Sequence, residues 1–566
     1  MECLRLSQTN SKKSQILFYM KLKALLFFFI TCFFCTKNDL QAQDKAQFSG
    51  DLQLNTKYFD ADSLRGAIGT PFYDYLFYSA DAWLNLKYQY KGFDVGVRFD
   101  VFHNSFIFNP TRETSKEGLA YWYINKKVKK LDITAGYFYE QFGSGITFRT
   151  YEARALGIDQ SVLGIRLGYE LNDNWRIKAF TGKAKNNFDF DNIELFQPIV
   201  KGINLEGFVN VSEKVQLVPG FSAVNRTIDA KSMQSIALEI NSYPSVADRF
   251  ETKYNTNAIS VYNTLQFGNF SWFVEGAIKT EDVLRSISGQ LFNPSLGFVG
   301  YSTLTYSQKG LGIVVQGKYT DNYDFRVSPI PTANAGLLNF LPPMAQQTTY
   351  RLTSRYNAAT QTLGELAWQA DVTYTPKKGY TLNGNFSNIS TLENELLFRE
   401  IYLDLSVKLR KRPWKGTVGL QTVDYNRFFF EQKGDFVNTL TPFTEFVYKF
   451  TKKQSLKTEL SYMITKRNYR FSAKEDPNPE KLQDFGDWFW ILLEYSIAPN
   501  WSFSVADMYR MNDGVHYPTF FASYSQKTSR FALSYAKQPD GIVCTGGVCR
   551  YEPAFSGVKF DITTSF

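Results

Sequence analysis

The chain has 566 residues and a mass of 65.0 kDa, with 51 Phe, 35 Tyr and 9 Trp making it 17% aromatic against a mean hydropathy of −0.28. A hydrophobic content of 44% with 21% charge can bury a large core, which excludes a disordered chain. Only His103 and His516 represent histidine, which argues against His-based catalysis and His-rich metal centres.

The N-terminus reads as an address. Ala24 to Cys35 (ALLFFFITCFFC) is apolar, follows Lys21 and Lys23, and precedes the polar stretch Thr36 to Gln41. It is too short to span a bilayer as a helix, so the expectation is a secretory signal cleaved after Ala42. Met20 stands directly before the basic residues, so residues 1–19 are expected to be an upstream extension, with Met1 and Met20 as rival starts. Residues 43–566 then form a single domain. Residues 1–42 carry six Lys/Arg and two Asp/Glu, so the formal charge of +9 falls to about +5 on cleavage. Nucleic acid therefore loses its compositional case as a partner. Of five cysteines, Cys544 and Cys549 alone remain in the exported part. One close pair in an exported chain suggests a disulfide.

After residue 42 no apolar run is long enough for a membrane helix. Segments of about ten residues instead alternate with period two, as strand side chains do between opposite faces. Phe93, Val95, Val97, Phe99 and Val101 share one face while Asp94, Gly96, Arg98 and Asp100 share the other. Ile401, Leu403, Leu405, Val407 and Leu409 repeat the pattern, as do Leu311, Ile313, Val315 and Tyr319. The pattern predicts about 24 strands (range 20–26).

Their connections alternate between two classes. Tight turns are expected near Lys91-Gly92, Lys126–Lys130, Asn172–Asn174, Gly268-Asn269, Gln308–Gly310, Lys377–Gly379, Lys411–Pro413, Lys452-Lys453, Pro499-Asn500 and Gln526–Ser529. Long loops are expected near 57–80, 104–117, 142–160, 185–200, 225–255, 280–296, 321–361, 471–484 and 539–553. Long connections at one end and short ones at the other are the pattern of an all-β, transmembrane, antiparallel up-and-down barrel. Two strands per unit of this length are too sparse for a propeller blade. The polar strand faces suit a watery lumen and the apolar faces suit lipid. Trp83, Trp122, Tyr123, Trp272, Trp488, Trp490 and Trp501 fall within strands and are expected in interfacial girdles or facing lipid.

The last segment points to the bacterial outer membrane as the expected location. Phe560, Ile562 and the terminal Phe566 lie on one face of a strand that ends on an aromatic, and this resembles the C-terminal signal read by the barrel-assembly machinery. Outer-membrane lipids and that machinery are thus the expected partners. A periplasmic C-terminus puts the lysine-rich short turns beside inner-leaflet head groups, although turn solubility explains those lysines equally well.

Three stretches could carry function. Cys544 to Cys549 (CTGGVC) lies in an outer loop, where Gly546 and Gly547 allow the reversal that lets the cysteines pair; two thiolates without further ligands make an incomplete metal site. Gly143 to Gly164 interrupts the alternation and brings Arg149, Glu152, Arg154 and Asp159 together. Such opposite charges on an infolded loop would constrict a lumen; on an outer loop they would be ordinary surface ion pairs. Residues 327–345, with Pro329, Leu338, Phe340 and Leu341, are unusually apolar for an outer loop and could pack into the lumen, bind a hydrophobic ligand or touch a partner. There is no G-x-S-x-G, H-E-x-x-H or P-loop, so no catalytic residue, metal or cofactor is assigned and an enzyme is not expected. The first strand begins near Gln47, which leaves no plug domain of the kind energised importers use.

At Gly143–Gly164, Gln346–Thr375 and Cys544–Phe566 the chain resembles an uncharacterised outer-membrane barrel family of Bacteroidota, a domain of unknown function. The resemblance implies fold and location and brings no substrate, cofactor or site residue. The reading that follows is a passive, porin-like channel for small solutes. Its alternative is a non-transporting barrel that serves as a binding or assembly partner in a secretion or surface-polysaccharide system.

Overall fold

The structure, a computed structural model, describes residues 46–110, 112–186, 194–331, 335–431, 436–467, 486–545 and 548–566. The expected signal sequence lies outside the described residues. Twenty-four antiparallel strands close into one barrel, from Gln47–Phe59 to Phe555–Ser565, as the alternation predicts. Each strand pairs with its sequence neighbours. The last pairs with Ser529–Gln538 on one side and with Gln47–Phe59 on the other, which removes both sheet edges. Gly50 and Phe566 exchange N–H···O bonds of 2.9 Å at this seam. No helix among the described residues is long and apolar enough to cross a membrane; the strands are the crossing elements.

Strand direction alternates, so connections alternate between two ends. The predicted tight turns occupy one end, where Gly50 and Phe566 also lie, and residues 60–77, 139–161, 228–254, 281–295, 322–363 and 539–554 all fall at the other. Two connections at the long-loop end, 391–395 and 511–514, are short, so their flanking strands escape the two-class rule. A helix, Ala230–Asn241, also departs from the expected all-strand pattern. It buries Met233, Ile236 and Ile240, spaced three and four apart, against Ile228, Val283 and Leu291. Asp229 caps it by accepting a 3.0 Å bond from the Ser232 N–H.

The two faces have the predicted chemistry. Phe93 and Phe99 are exposed on the outside while Arg98 and Asp100 are buried on the inside. The tryptophans divide differently from expectation. Trp122, Trp272 and Trp501 lie on the outer surface, but Trp83 and Trp488 point inward and are buried. Tyr123 donates to Asp94 at 2.9 Å and Trp490 to Glu459 at 2.9 Å, so these rings also serve the lumen. Cations explain part of this placement: the Arg355 guanidinium sits 4.1 Å from the Trp488 ring centroid and that of Arg154 lies 5.6 Å from Trp83.

Closure depends on close backbone approach. Gly557 has φ 150°, pairs with Phe59 across the seam, and would set a Cβ 1.9 Å from the Tyr58 carbonyl oxygen. Gly557→Ala is expected to destabilise the barrel by about 1–3 kcal/mol or more, visible as a lower thermal midpoint by circular dichroism; Gly276→Ala, where no atom lies within 4 Å, is the control expected to leave it unchanged.

Candidate functional site

The inner wall is not uniformly polar. Phe180, Val200, Val224, Ala258, Ala277 and Val299, on six successive strands, form an apolar band on the lumen face. Loop 139–161 covers it with Phe142, Ile146 and Phe148, and loop 322–363 adds Tyr323, Phe325, Val327, Leu338 and Leu341. The apolar loop at 327–345 thus packs inward. Beyond Leu341 the same loop continues across the wall, setting Met344, Leu352 and Tyr356 among Ile389, Phe398, Val423, Tyr425 and Trp488. Each large side chain so buried contributes about 1.5–3 kcal/mol, which holds the loop against its loss of freedom.

The two loops also bond to each other. The Arg149 N–H donates to the Leu338 carbonyl at 2.9 Å, and the Phe340 N–H donates to the Gly145 carbonyl at 2.9 Å. The Arg149 guanidinium lies 4.0 Å from the Phe340 ring centroid and 5.0 Å from that of Tyr151. Loop 139–161 is fastened to the wall by the Ser144 N–H, which donates to Glu275 at 2.9 Å, and by Thr147, whose hydroxyl is 2.6 Å from that of Ser222.

Glu152, Arg154 and Asp159 converge, while Arg149 stands apart from them. Arg98 is the hub: it bonds Asp100 at 2.7 and 2.9 Å, Glu152 at 2.7 Å and Asp159 at 2.6 Å. Arg154 bonds Glu152 at 2.8 Å, and Lys185 reaches Asp159 at 2.7 Å. Burial pushes the Asp159 carboxyl up, but Lys185 and Arg98 outweigh it and hold the group well below the usual carboxylate range. Sequence reasoning missed Arg98 and Lys185 as partners. An irregularity aims Lys185 inward, the register slipping between Lys183 and Lys185, and its amine also donates to the Ala120 carbonyl at 2.9 Å, where the strand Thr114–Val128 has an irregularity of its own.

A second set of wall cations anchors the long loop through its carbonyls. Lys279 donates to the Asp324 carbonyl at 2.6 Å and Lys318 to that of Pro342 at 2.6 Å, while Arg226 reaches that of Arg326 at 3.4 Å. Asp282 neutralises Arg226 at 2.7 Å and Lys279 at 3.1 Å. Burial raises its pKa, yet Arg226 and Lys279 outweigh that and lower it overall. Lys318 pairs with Glu365 at 2.9 Å, both side chains fully buried.

The other predicted residues are also located. The hairpin Gly541–Thr545 and Val548–Glu552 sets Cys544 opposite Cys549 as Cα partners; their side chains lie outside the described residues. Phe560 and Phe566 are exposed on the outer face of the last strand, with Ile562 between them on the same face. His516 lies 2.6 Å from Asp507 and His103 2.9 Å from the Tyr78 hydroxyl. Among the described residues no group of three His, Cys, Asp or Glu could hold a metal ion.

The molecule is a closed transmembrane β-barrel whose lumen is lined and partly filled by its own loops. The chain belongs to a family described as a Family of unknown function (DUF6029), matched over residues 20–566. No curated protein sequence matches it. Among solved structures it is similar to the siderophore receptor PirA from Pseudomonas aeruginosa, at 8% identity over 93% of this chain and 81% of that one, with a TM-score of 0.41. It is similar to the outer membrane protein OpdK from the same organism, at 10% identity over 74% and 99%, with a TM-score of 0.35. The FrpB iron transporter from Neisseria meningitidis matches at 9% identity over 92% and 82%, with a TM-score of 0.38.

The buried Lys318–Glu365 pair gives a direct test of the anchoring. Lys318→Met alone is expected to cost about 3–5 kcal/mol because it strands Glu365, and the double variant Lys318→Met/Glu365→Leu to recover most of that. Thermal melts combined with limited proteolysis of loop 322–363 would read both.

Proposed function

We propose that the protein is an outer-membrane channel for small solutes whose lumen is reduced to a narrow, charge-lined path by loops 139–161 and 322–363. The observation that carries this reading is the joining of the two loops by reciprocal backbone bonds at Arg149–Leu338 and Phe340–Gly145 over a shared apolar core. A barrel of 24 strands is too wide for its wall side chains to fill, so infolded loops set the aperture. Glu152, Arg154 and Asp159, with Arg98, are the charges that border what remains. Export through the N-terminal signal and insertion by machinery that reads Phe560, Ile562 and Phe566 complete the proposal.

In planar bilayers the wild-type protein is expected to show small unitary conductance, and replacement of residues 327–345 by a short Gly-Ser linker to raise it several-fold. Folded protein that conducts in neither form would overturn the channel reading and favour the alternative, a non-transporting binding or assembly partner. That alternative draws on Leu64, Leu238 and Val246, which lie exposed at the long-loop end; a stable protein co-purifying from native membranes is its expected sign.

The facing placement of Cys544 and Cys549 supports a disulfide that pins the hairpin before the closing strand. Maleimide labelling of the denatured native protein is expected only after reduction, with an intact-mass difference of two hydrogens.

A further inference from the structure

A cavity of about 450 Å³ opens at the long-loop end between the seam strands and the inner loops, apart from the Arg98 network. Its volume falls within the roughly 300–1,000 Å³ typical of small-molecule sites. Lys57, Arg351, Arg550 and Lys559 line it, against a single acid, Glu552. Glu552 is spent on Arg550, whose guanidinium also donates to the Ile107 carbonyl at 2.8 Å. Lys57 and Lys559 are direct cross-strand partners on the lumen face, so their side chains leave the wall about 5 Å apart. Like charges placed so repel, and neither has a carboxylate partner among the described residues. The Lys57 amine lies over the Phe106 ring at 3.9 Å; that of Lys559 lies over Phe555 at 4.2 Å and bonds the Gln538 amide oxygen at 3.1 Å. Arg351 has no acidic partner among the described residues either. Burial, with the charge of Arg355 added, lowers it to about 10, which leaves it cationic at neutral pH. Asp81, Glu552 and Asp561 act on Lys57, and Glu552 and Asp561 on Lys559, without forming an ion pair with either.

Lys57, Lys559 and Arg351 are thus directed at one cavity with no carboxylate in ion-pair contact among the described residues, so the cavity has an excess of donors over acceptors. The cavity is also aromatic: Phe59, Phe72, Phe106 and Phe555 make a cluster of edge-on and tilted rings 5.2–5.8 Å apart, and the two lysine amines lie beside it. We propose that this cavity is a binding site for a small organic dianion, two carboxylate or phosphate groups on an apolar or aromatic body, held by Lys57, Lys559 and Arg351 with the body against the phenylalanines. The site is an equilibrium binding site and stands whether or not the lumen conducts.

Isothermal titration of the detergent-solubilised full-length protein would test it with benzene-1,3-dicarboxylate, its neutral diamide and inorganic phosphate. The dicarboxylate is expected to saturate one site and raise the thermal midpoint, the diamide to give no binding, and phosphate, which lacks the body, to bind at least tenfold more weakly. Arg351→Gln and Lys559→Gln are each expected to weaken the dicarboxylate at least tenfold while keeping a cooperative melt; Lys57→Gln provides the same readout should one of them fail to fold. Absence of saturable dicarboxylate binding, equal binding of the diamide, or unchanged affinity in folded variants would overturn the proposal. Phosphate binding as tightly as the dicarboxylate would overturn the assignment of an organic body.

Discussion

The perimeter of the barrel governs everything inside it. Twenty-four strands close without an edge, but the ring they make is wider than side chains projecting from the wall can fill. An apolar band on that wall, such as Val200, Val224, Ala258 and Val299, would face water unless something covered it. The connections at the long-loop end are the material available, and 139–161 and 322–363 fold back to supply the covering. The filling is therefore a consequence of strand number.

An infolded loop carries its own difficulty. Backbone carbonyls removed from water need donors, and the sheet has already committed its own N–H groups. Arg226, Lys279 and Lys318 solve this from the wall, each giving a bond to a carbonyl of loop 322–363 while an acid nearby offsets its charge. The Arg98 network performs a related task for loop 139–161 with carboxylates as acceptors. Buried ions of this kind are weak stabilisers in themselves, yet each demands its partner, and that demand gives the loops one position. The apolar contacts supply adhesion and the ionic ones supply register.

What could be read from the sequence follows the range of the interaction. Period-two alternation and turn residues such as Lys91-Gly92 and Gly268-Asn269 are local signals, and strand number, faces and the two-ended loop pattern were legible from them. The convergence of Arg98, Asp159 and Lys185 spans distant parts of the chain and turns on an irregularity at Lys183–Lys185, so alternation alone misdirects it. The inward turn of Trp83 and Trp488 is not legible for a related reason: an aromatic in a strand reads as seeking lipid or its interface, whereas here a loop arginine lies over each ring. One sign of the filling is local. Val224, Ala258, Ala277 and Val299 are apolar residues on faces otherwise given to polar ones, and such a run in a wide barrel marks where something must pack.

The cation-rich cavity at the seam differs from the two loop anchors in just this respect. Where Lys279 and Lys318 meet an acid and a carbonyl, Lys57 and Arg351 bond neither among the described residues, although both lie in the same lumen. The charges that hold the loops are paired, whereas Lys57, Lys559 and Arg351 have no ion-pair partner among the described residues. A charge needed only for folding gains nothing from facing its own kind across a strand pair, as Lys57 faces Lys559. The contrast separates internal scaffolding from a surface kept ready for something of opposite sign.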